Sequence, residues 1–319
     1  MTDNSIETDD QRTYEETDLG NEHLHGDPEP VVLYERDGSY IPRIAAVHDL
    51  CGYGKCSLGV AIPVLSAAGC DVCPVPTGIF SSHTAFPGWY MHDTTDILKD
   101  YLDAWAGIDV QIDAVYSGFL GAPEQVDIIR SLYEAYPDAI RMVDPVMADH
   151  GKVYPTYTPE LCEAMASLAS DADVLTPNLT EAAIILGEPI GDDWGGCDIP
   201  DEEAERIVDA LLEKGAKNVI LKGIQREGES IIRNFVGGEG MRDKIEVSNE
   251  YLPYMLHGTG DVYASCVLAA LMTGRSIVEA AAFAGDFVHD AMIVSAKQPS
   301  FKERGVSFEL LIGKVSDLL

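Results

Sequence analysis

The chain has 319 residues, 46% of them apolar, which suits one large α/β domain or two small ones with a sizeable buried core. No stretch reaches the roughly 20 consecutive apolar residues of a membrane span, and the N-terminus lacks the basic start and apolar run of a secretory signal. The net charge of −33, from 54 acidic and 21 basic residues, argues against nucleic acid and anionic membranes as partners. Seven scattered cysteines suit a reducing compartment, so we predict a cytoplasmic protein.

Residues 1–40 differ in composition from the rest of the chain. They carry twelve Asp or Glu and two Arg, with few apolar residues and no periodicity. This composition predicts a disordered acidic N-terminal tail, followed by a single folded domain over 41–319. We therefore expect deletion of residues 1–38 to leave thermal stability and activity nearly unchanged.

Short apolar strands alternate with helical patterns from residue 43 onward. Strands are predicted at 43–48, 70–77, 113–118, 140–145, 172–177 and 217–223. Helices are predicted between them at 57–69, 94–107, 123–136, 159–170, 178–187 and 201–215. An antiparallel pair follows over 229–249, and helices near 259–273, 276–296 and 307–318 finish the chain. The alternation predicts a three-layer α/β/α fold, with a mostly parallel central sheet and helices on both faces.

The motif HGTGD at 257–261 is the strongest chemical signal, and it precedes an apolar helical pattern. Gly258, Thr259 and Gly260 at a helix start would let backbone N–H groups converge on an anion. Asp261 is placed one residue on, where a carboxylate could accept the proton of an attacking alcohol. Phosphoryl transfer needs these parts. An ordinary glycine-rich helix entry, with Asp261 as a first-turn residue, fits the spacing equally well.

Three further segments follow predicted strands, where ligands of parallel sheets bind. HDLCGYGKCSLG begins at His48 and contains Tyr53, but its glycine spacing matches neither a P-loop nor a dinucleotide fingerprint. It fits a pocket loop or a glycine-permitted turn. TGIFSSHT contains Thr77 and His83, which suit a small polar ring, although a single histidine is more often structural. SGFLG offers Phe119 for stacking.

Carboxylates and a lysine lie near the ends of the next strands. Asp144 in DPVMADHG is a candidate for holding Mg²⁺ through water, or a turn residue. Asn178 and Glu181 in TPNLTE lie three apart at a helix start, which fits either a helix cap or a Mg²⁺–phosphate water shell. Lys222 in VILKG ends a strand and could reach a nucleotide phosphate.

These motifs, in this order, resemble the ribokinase-like superfamily and, within it, the pyridoxal (pyridoxine, pyridoxamine) kinases. The resemblance covers roughly residues 43–296 and is carried by HDLCGYGKCS, TGIFSSHT, YSGFLG, DPVM, TPNLTE and HGTGD. HGTGD is shared across the superfamily, whereas GYG together with FSSH and SGFLG indicates the vitamin B6 branch. The sequence therefore resembles a kinase that phosphorylates the 5′-hydroxymethyl group of a B6 vitamer.

The resemblance implies a role for each matching residue. Catalysis would use Asp261 as the base, with Gly258, Thr259 and Gly260 as the anion hole. The nucleotide would lie by Thr176, Asn178, Lys222 and Gly223, and Mg²⁺ would be organised by Asp144 and Glu181. The vitamin pocket would be lined by His48, Tyr53, Thr77, His83 and Phe119. Many family members carry Ser in place of His48 and Tyr in place of Phe119, so preference among the three vitamers stays open.

The family resemblance also implies ATP and Mg²⁺ as cofactors, with a monovalent cation such as K⁺ as an open addition, and a homodimer. One alternative is a hydroxymethylpyrimidine kinase or another small-alcohol kinase of the same superfamily. A second is a non-catalytic ligand-binding protein on this fold, which the retained HGTGD motif disfavours. A nicotinamide-dependent oxidoreductase is disfavoured because the dinucleotide fingerprint is missing.

Overall fold

The computed structural model describes residues 24–25, 31–189 and 198–319. The strands are β1 (Leu24–His25), β2 (Arg43–Cys51), β3 (Asp71–Phe80), β4 (Met91–Asp93), β5 (Ala114–Ser117), β6 (Ile140–Val143), β7 (Ala148–Asp149), β8 (Lys152–Val153), β9 (Val174–Leu175), β10 (Asn218–Gln225), β11 (Ile231–Gly238) and β12 (Ile245–Glu250). The helices are α1 (Leu58–Ala67), α2 (Thr95–Ala106), α3 (Glu124–Ala135), α4 (Pro159–Ala169), α5 (Leu179–Leu186), α6 (Asp201–Glu213), α7 (Thr259–Leu271), α8 (Ile277–Ala296), α9 (Phe301–Arg304) and α10 (Ile312–Ser316).

The strands other than β7 and β8 form one sheet in the order β1-β12-β11-β10-β9-β6-β5-β2-β3-β4. The six neighbours from β10 to β3 run parallel, and antiparallel strands extend the sheet at both edges. A parallel core follows from the strand–helix alternation, because each helix must return the chain to the same end of the sheet. The predicted α/β fold is confirmed.

Side chains alternate between the two faces of the sheet and give the protein two hydrophobic clusters. In β2, Ala45 and Val47 face the cluster beneath helices α2 to α6, whereas Ile44 faces the cluster beneath α1, α7, α8 and α10. In β5, Val115 and Tyr116 divide in the same way. A strand buried on both faces reads as a continuous apolar run, as these strands do in the sequence.

Residues 31–40 belong to the folded domain, which corrects the predicted boundary at residue 41. Val31, Leu33 and Tyr34 pack against the cluster beneath α1 and α8, and the Val31 carbonyl accepts the Ile277 N–H at 3.0 Å. The Arg36 guanidinium donates to the carbonyl oxygens that follow α1. The apolar run at 31–34 explains the error, because it supplies a contact surface within an otherwise acidic segment. The rest of the predicted tail, apart from the strand β1, lies outside the described residues.

The C-terminal part of the chain also differs from the sequence prediction. One helix over 307–318 was expected, but the structure has the short helix α9, a 3₁₀ turn over Glu309–Leu311 and then α10. Gly305 separates α9 from the turn with a φ of +85°, and a Cβ atom there would lie 2.7 Å from the His257 carbonyl oxygen. The chain bends at this glycine to pass close to the HGTGD motif. None of the helices over the described residues is long and apolar enough to cross a membrane.

Replacement of Arg36 by alanine tests whether the segment 31–40 stabilises the fold. Arg36 donates to Ala68 O at 2.9 Å and to Gly69 O at 3.0 Å, so it satisfies carbonyl groups at the end of α1. We expect Arg36→Ala to lower the free energy of unfolding by about 1–2 kcal/mol in urea denaturation. Deletion of residues 1–38 removes the same contacts and should lower the thermal midpoint too.

The control for Arg36 is Lys99→Ala, which breaks an exposed ion pair with Asp103 within α2. Exposed pairs of this kind add little to stability, so its unfolding curve should superimpose on that of the wild type. If Arg36→Ala also left the curve unchanged, the contacts of the segment 31–40 would be energetically neutral.

Candidate active site

A cavity of about 720 Å³ lies where the parallel strands end. Its lining includes Asp144, which follows β6, Asn178, which follows β9, and Lys222 in the last half of β10. The start of α7 supplies Thr259 and Asp261. Because the carboxyl ends of parallel strands meet at one edge of the sheet, residues far apart in sequence converge here. The predicted metal and catalytic residues, and the predicted nucleotide residues apart from Thr176, therefore line one cavity.

A buried ion pair joins Lys222 and Asp144 inside the cavity. The Lys222 Nζ atom lies 2.6 Å from Asp144 Oδ1, which also accepts a hydrogen bond from Thr176 Oγ1 at 3.0 Å. Burial opposes the charged ammonium, but the carboxylates of Asp144 and Glu181 outweigh it and raise the pKa of Lys222. Asp144 Oδ2 is buried and has no hydrogen-bond partner. Lys222 therefore stays a cation, and one carboxylate oxygen beside it remains available.

Asn178 and Glu181 form a capping box at the start of α5. The Asn178 N–H donates to Glu181 Oε2 at 2.8 Å, and the Glu181 N–H donates to Asn178 Oδ1 at 2.9 Å. Burial, followed by the charge of Asp144, raises the pKa of Glu181 to about 8 against the opposing charge of Lys222. The capping interpretation of TPNLTE is therefore confirmed. Both residues also line the cavity, and their role in binding a ligand stays a prediction.

The HGTGD motif forms the N-terminus of α7. Gly258 is the N-cap residue with a φ of +84°, and a Cβ atom there would lie 1.8 Å from the Lys55 carbonyl oxygen. Only glycine permits both the backbone conformation and this close approach. The N–H groups of the first turn have no partner within the helix, and Thr259 and Gly260 line the cavity. This helix start is suited to binding an anionic group.

Asp261 lies in the first turn of α7 with one oxygen unpaired. Its Oδ1 atom is buried and has no hydrogen-bond partner, although the side chain as a whole is partly exposed to the cavity. Burial, then the charges of Asp144 and Asp49, raise the pKa of Asp261 to about 7, against the opposing charge of Lys222. A carboxylate with a pKa near neutrality can accept a proton in one step and release it in the next.

The predicted vitamin-binding residues do not line the cavity. His48 is fully buried beside Tyr116, with ring centroids 4.2 Å apart, and neither ring nitrogen has a partner. Burial lowers the pKa of His48 to about 3, so the ring is neutral. The hydroxyl of Thr77, also fully buried, donates to Phe119 O at 2.7 Å. Their roles in substrate binding stay predictions, because the packing holds all three within the core next to the site.

His83 and Tyr53 lie closer to the HGTGD motif. The ring of His83 lies 4.7 Å from that of His257, and its Nε2 atom lies 3.0 Å from Glu303 O. Tyr53 is half exposed, and the Arg304 guanidinium sits 4.9 Å from its ring centroid. The helix α9 therefore contacts both the loop after β2, which contains Tyr53, and the loop after β3, which contains His83. The sequence did not predict these contacts.

The carboxylates of the cavity fit a metal ion that is held partly by water and phosphate oxygens. They do not form a site in which protein side chains alone surround the ion. No group of three or more His, Cys, Asp or Glu within the described ranges could hold a metal ion directly. Mg²⁺ commonly takes one or two carboxylates and keeps several waters. The unpaired Oδ2 of Asp144, with Glu181 in the same cavity, meets that requirement. Gly223, whose N–H donates to Asn234 Oδ1 at 3.0 Å, completes this wall.

Alanine substitutions of Gly258 and Gly260 distinguish a glycine that is needed for its backbone conformation from one that only lines the cavity. Gly258→Ala forces a side chain into a positive φ and onto Lys55 O, so we expect a loss of about 2–4 kcal/mol in the free energy of unfolding. The matched control is Gly260→Ala, where the nearest atom to an added Cβ is Lys222 Nζ at 3.7 Å. It should fold at least as stably as the wild type in the same denaturation assay. Equal stability of the two variants would contradict the assigned role of Gly258.

Comparisons with known proteins agree with this geometry. The sequence model of the phosphomethylpyrimidine kinase family matches residues 62–304. Pyridoxal kinase PdxY of Histophilus somni is 30% identical over 273 residues, which cover 78% of this chain and 88% of that protein. The family model spans all of the motifs discussed above except HDLCGYGKCSLG at 48–59.

Solved structures give the same result. A Bacteroides thetaiotaomicron protein assigned to the phosphomethylpyrimidine kinases and crystallised with pyridoxal has 33% identity and a TM-score of 0.81, covering 86% of this chain and 96% of its own. Pyridoxal kinase from Lactobacillus plantarum has 26% identity and a TM-score of 0.79, covering 88% and 98%. The chain therefore belongs to the phosphomethylpyrimidine kinase family with its ribokinase-like fold and, within it, to the pyridoxal kinases.

Proposed function

We propose that the protein transfers the γ-phosphoryl group of ATP to the 5′-hydroxymethyl group of pyridoxal, pyridoxine or pyridoxamine. The observation that carries this proposal is the Asp261 carboxylate, which lines one cavity together with Lys222 and the start of α7, where the first-turn N–H groups have no partner within the helix. Relatives named pyridoxal kinases support the choice of substrate class, as does the related structure that contains pyridoxal.

The charge of the cavity supports a magnesium–nucleotide complex as the phosphate donor. Among the described residues that line the cavity, Lys222 is the one Lys or Arg, and it faces five carboxylates, those of Asp144, Asp149, Glu181, Glu250 and Asp261. A bare triphosphate would be repelled here. Asp144 and Glu181 would hold Mg²⁺, and the ion would supply positive charge to the phosphates of the nucleotide.

The residues of the chain divide the work of transfer among them. Lys222 and the N–H groups of Thr259 and Gly260 hold the transferring phosphoryl group. The Asp261 carboxylate takes the proton of the substrate hydroxyl as the hydroxyl oxygen attacks the γ-phosphorus. The bond from that phosphorus to the β-phosphate oxygen breaks, and ADP leaves with the electron pair. Positioning and charge stabilisation supply most of the rate.

The homodimer and the monovalent cation stay predictions from the family resemblance, and the cytoplasmic location stays a prediction from the scattered cysteines. One structural feature supports the dimer. Leu50 and Ile79 are register partners in β2 and β3, and both are exposed close to the edge strand β4. Tyr90, just before β4, is exposed as well. Exposed apolar side chains grouped at a sheet edge are typical of a surface that a second copy covers.

Replacement of Asp261 by asparagine tests the role of the base. The amide keeps the shape of the side chain but cannot take a proton, so we expect kcat to fall by about 10²–10⁴-fold with little change in KM. The assay measures pyridoxal-dependent release of ADP from ATP in the presence of Mg²⁺, and it compares the wild type with Asp261→Asn. The matched control is Asp113→Asn, a carboxylate that accepts the Arg43 N–H at the opposite end of the sheet.

The same assay separates the vitamers from the pyrimidine alternative. Pyridoxal, pyridoxine, pyridoxamine and hydroxymethylpyrimidine are compared at equal concentration with the wild type. Turnover of at least one vitamer would support the proposal. Turnover of hydroxymethylpyrimidine alone would mean that the protein is a kinase, but with the pyrimidine as its substrate in place of a B6 vitamer. Near-wild-type turnover of Asp261→Asn would show that Asp261 is not the catalytic base.

A further inference from the structure

His83, in the loop after β3, contacts three other segments of the chain close to the start of α7. The residue is only 8% exposed. Its backbone N–H donates to Tyr53 O at 3.1 Å, which joins its loop to the loop after β2. Its ring centroid lies 4.7 Å from that of His257, and its Nε2 atom lies 3.0 Å from Glu303 O in α9. One histidine therefore connects both loops, α9 and the HGTGD motif.

The contacts of the His83 ring fix its tautomer. The Ala85 N–H donates to Nδ1 at 3.3 Å, so Nδ1 presents a lone pair and carries no proton. The ring proton therefore lies on Nε2, which donates it to Glu303 O at 3.0 Å. Backbone groups thus engage both ring nitrogens. A polar contact between His83 and a vitamer would require one of these two hydrogen bonds to break.

The chain after α9 extends the contact of His83 to the N-cap of α7. At Gly305 the backbone passes so close to His257 O that an added Cβ atom would lie 2.7 Å from it. The Val306 N–H donates to the same oxygen at 3.0 Å. Val306 is fully buried, and its Cγ1 atom would lie 3.6 Å from a Cβ atom added to Gly258. The hydrogen bond from His83 to α9 therefore anchors a segment that packs on His257 and Gly258.

The ring of His83 is itself closely enclosed. The ring centroid of Phe86 lies 4.4 Å away, and a Cβ atom added to Gly54 would lie 2.5 Å from His83 Cδ2. These neighbours give the contact between His83 and His257 a fixed direction. His257 lines the cavity and directly precedes the N-cap residue Gly258. Misplacement of a reacting group by about 1 Å can lower a rate by roughly 10²-fold, so small movements of this turn affect catalysis.

We infer that His83 is a positioning residue for phosphoryl transfer, because it holds His257 and Gly258, and with them the first-turn N–H groups of α7, where the transferring phosphoryl group would bind. The inference rests on the proposed function, in which those N–H groups hold that phosphoryl group. It differs from the role that the family resemblance implies, in which His83 lines the vitamin pocket.

Two variants separate the hydrogen bond of His83 from its ring. His83→Phe keeps an aromatic ring beside His257 but cannot donate to Glu303 O. We expect its kcat to fall about tenfold, with the KM for pyridoxal changed by less than about twofold. His83→Gln places an amide N–H near the position of Nε2, so it should restore the hydrogen bond and keep kcat within about threefold of the wild type. Pyridoxal is varied at saturating Mg·ATP.

The control is His92→Phe, which replaces an exposed histidine in β4 and should change neither kcat nor KM. A KM for pyridoxal raised at least about tenfold in His83→Phe, with kcat unchanged, would assign His83 to the vitamin pocket and overturn the inference. Wild-type kcat and KM in folded His83→Phe would also overturn it. If His83→Phe fails to fold, His83→Gln decides, because a tenfold loss of kcat with the donor restored would contradict the inference.

Two measurements without turnover keep this inference separate from the proposed function. In the ligand-free wild type, the ¹⁵N resonances of the His83 ring should show the proton on Nε2 and a bare Nδ1. Hydrogen exchange of the Val306 amide should accelerate at least about tenfold in His83→Phe and stay at the wild-type rate in His83→Gln and His92→Phe. A proton on Nδ1, or a Val306 amide that ignores His83→Phe, would refute the inference alone. A wild type that turns over no vitamer would refute the proposed function alone.

Discussion

The buried ion pair between Lys222 and Asp144 sets the electrostatic balance of the whole site. Taking both charges out of water costs several kcal/mol, and the loss is offset only if the geometry is close and the remaining polar atoms are satisfied. The Nζ–Oδ1 distance of 2.6 Å and the hydrogen bond from Thr176 meet the first condition. The remaining polar atoms are not all satisfied, because Asp144 Oδ2 is buried without a hydrogen-bond partner. The pair therefore stabilises a cation in an acidic cavity and leaves one carboxylate oxygen for a ligand.

The acidity of this cavity links its electrostatics to its chemistry. Burial, together with the charge of Asp144, raises the pKa values of Glu181 and Asp261 toward neutrality, and Lys222 opposes both shifts without cancelling them. A base with such a pKa is useful at physiological pH, and the same excess of negative charge makes a metal–nucleotide complex a better partner than a free nucleotide. Stability and function thus depend on one arrangement of charges.

Much of the fold and part of the site could be predicted from the sequence. Apolar runs and glycine or proline boundaries located the parallel strands, and the order of those strands brought Asp144, Lys222 and the HGTGD motif to one edge. The contacts that could not be predicted from the sequence are those of the C-terminal segment around α9 and Gly305, which folds back onto earlier loops. Packing of α9 and of the turn at Gly305 onto the loops that follow β2 and β3 depends on tertiary contacts between segments more than 200 residues apart.

Binding of a magnesium–nucleotide complex to a variant without the central cation tests the account most directly. Calorimetric titration with Mg·ADP compares the wild type with Lys222→Met and with Lys217→Met, which breaks a pair with Asp173 that lies outside the cavity. We expect Kd to rise at least about tenfold for Lys222→Met, equal to about 1.4 kcal/mol, and to stay unchanged for Lys217→Met. Wild-type affinity in a folded Lys222→Met variant would show that the buried ion pair does not prepare the cavity for phosphate, and it would contradict the account.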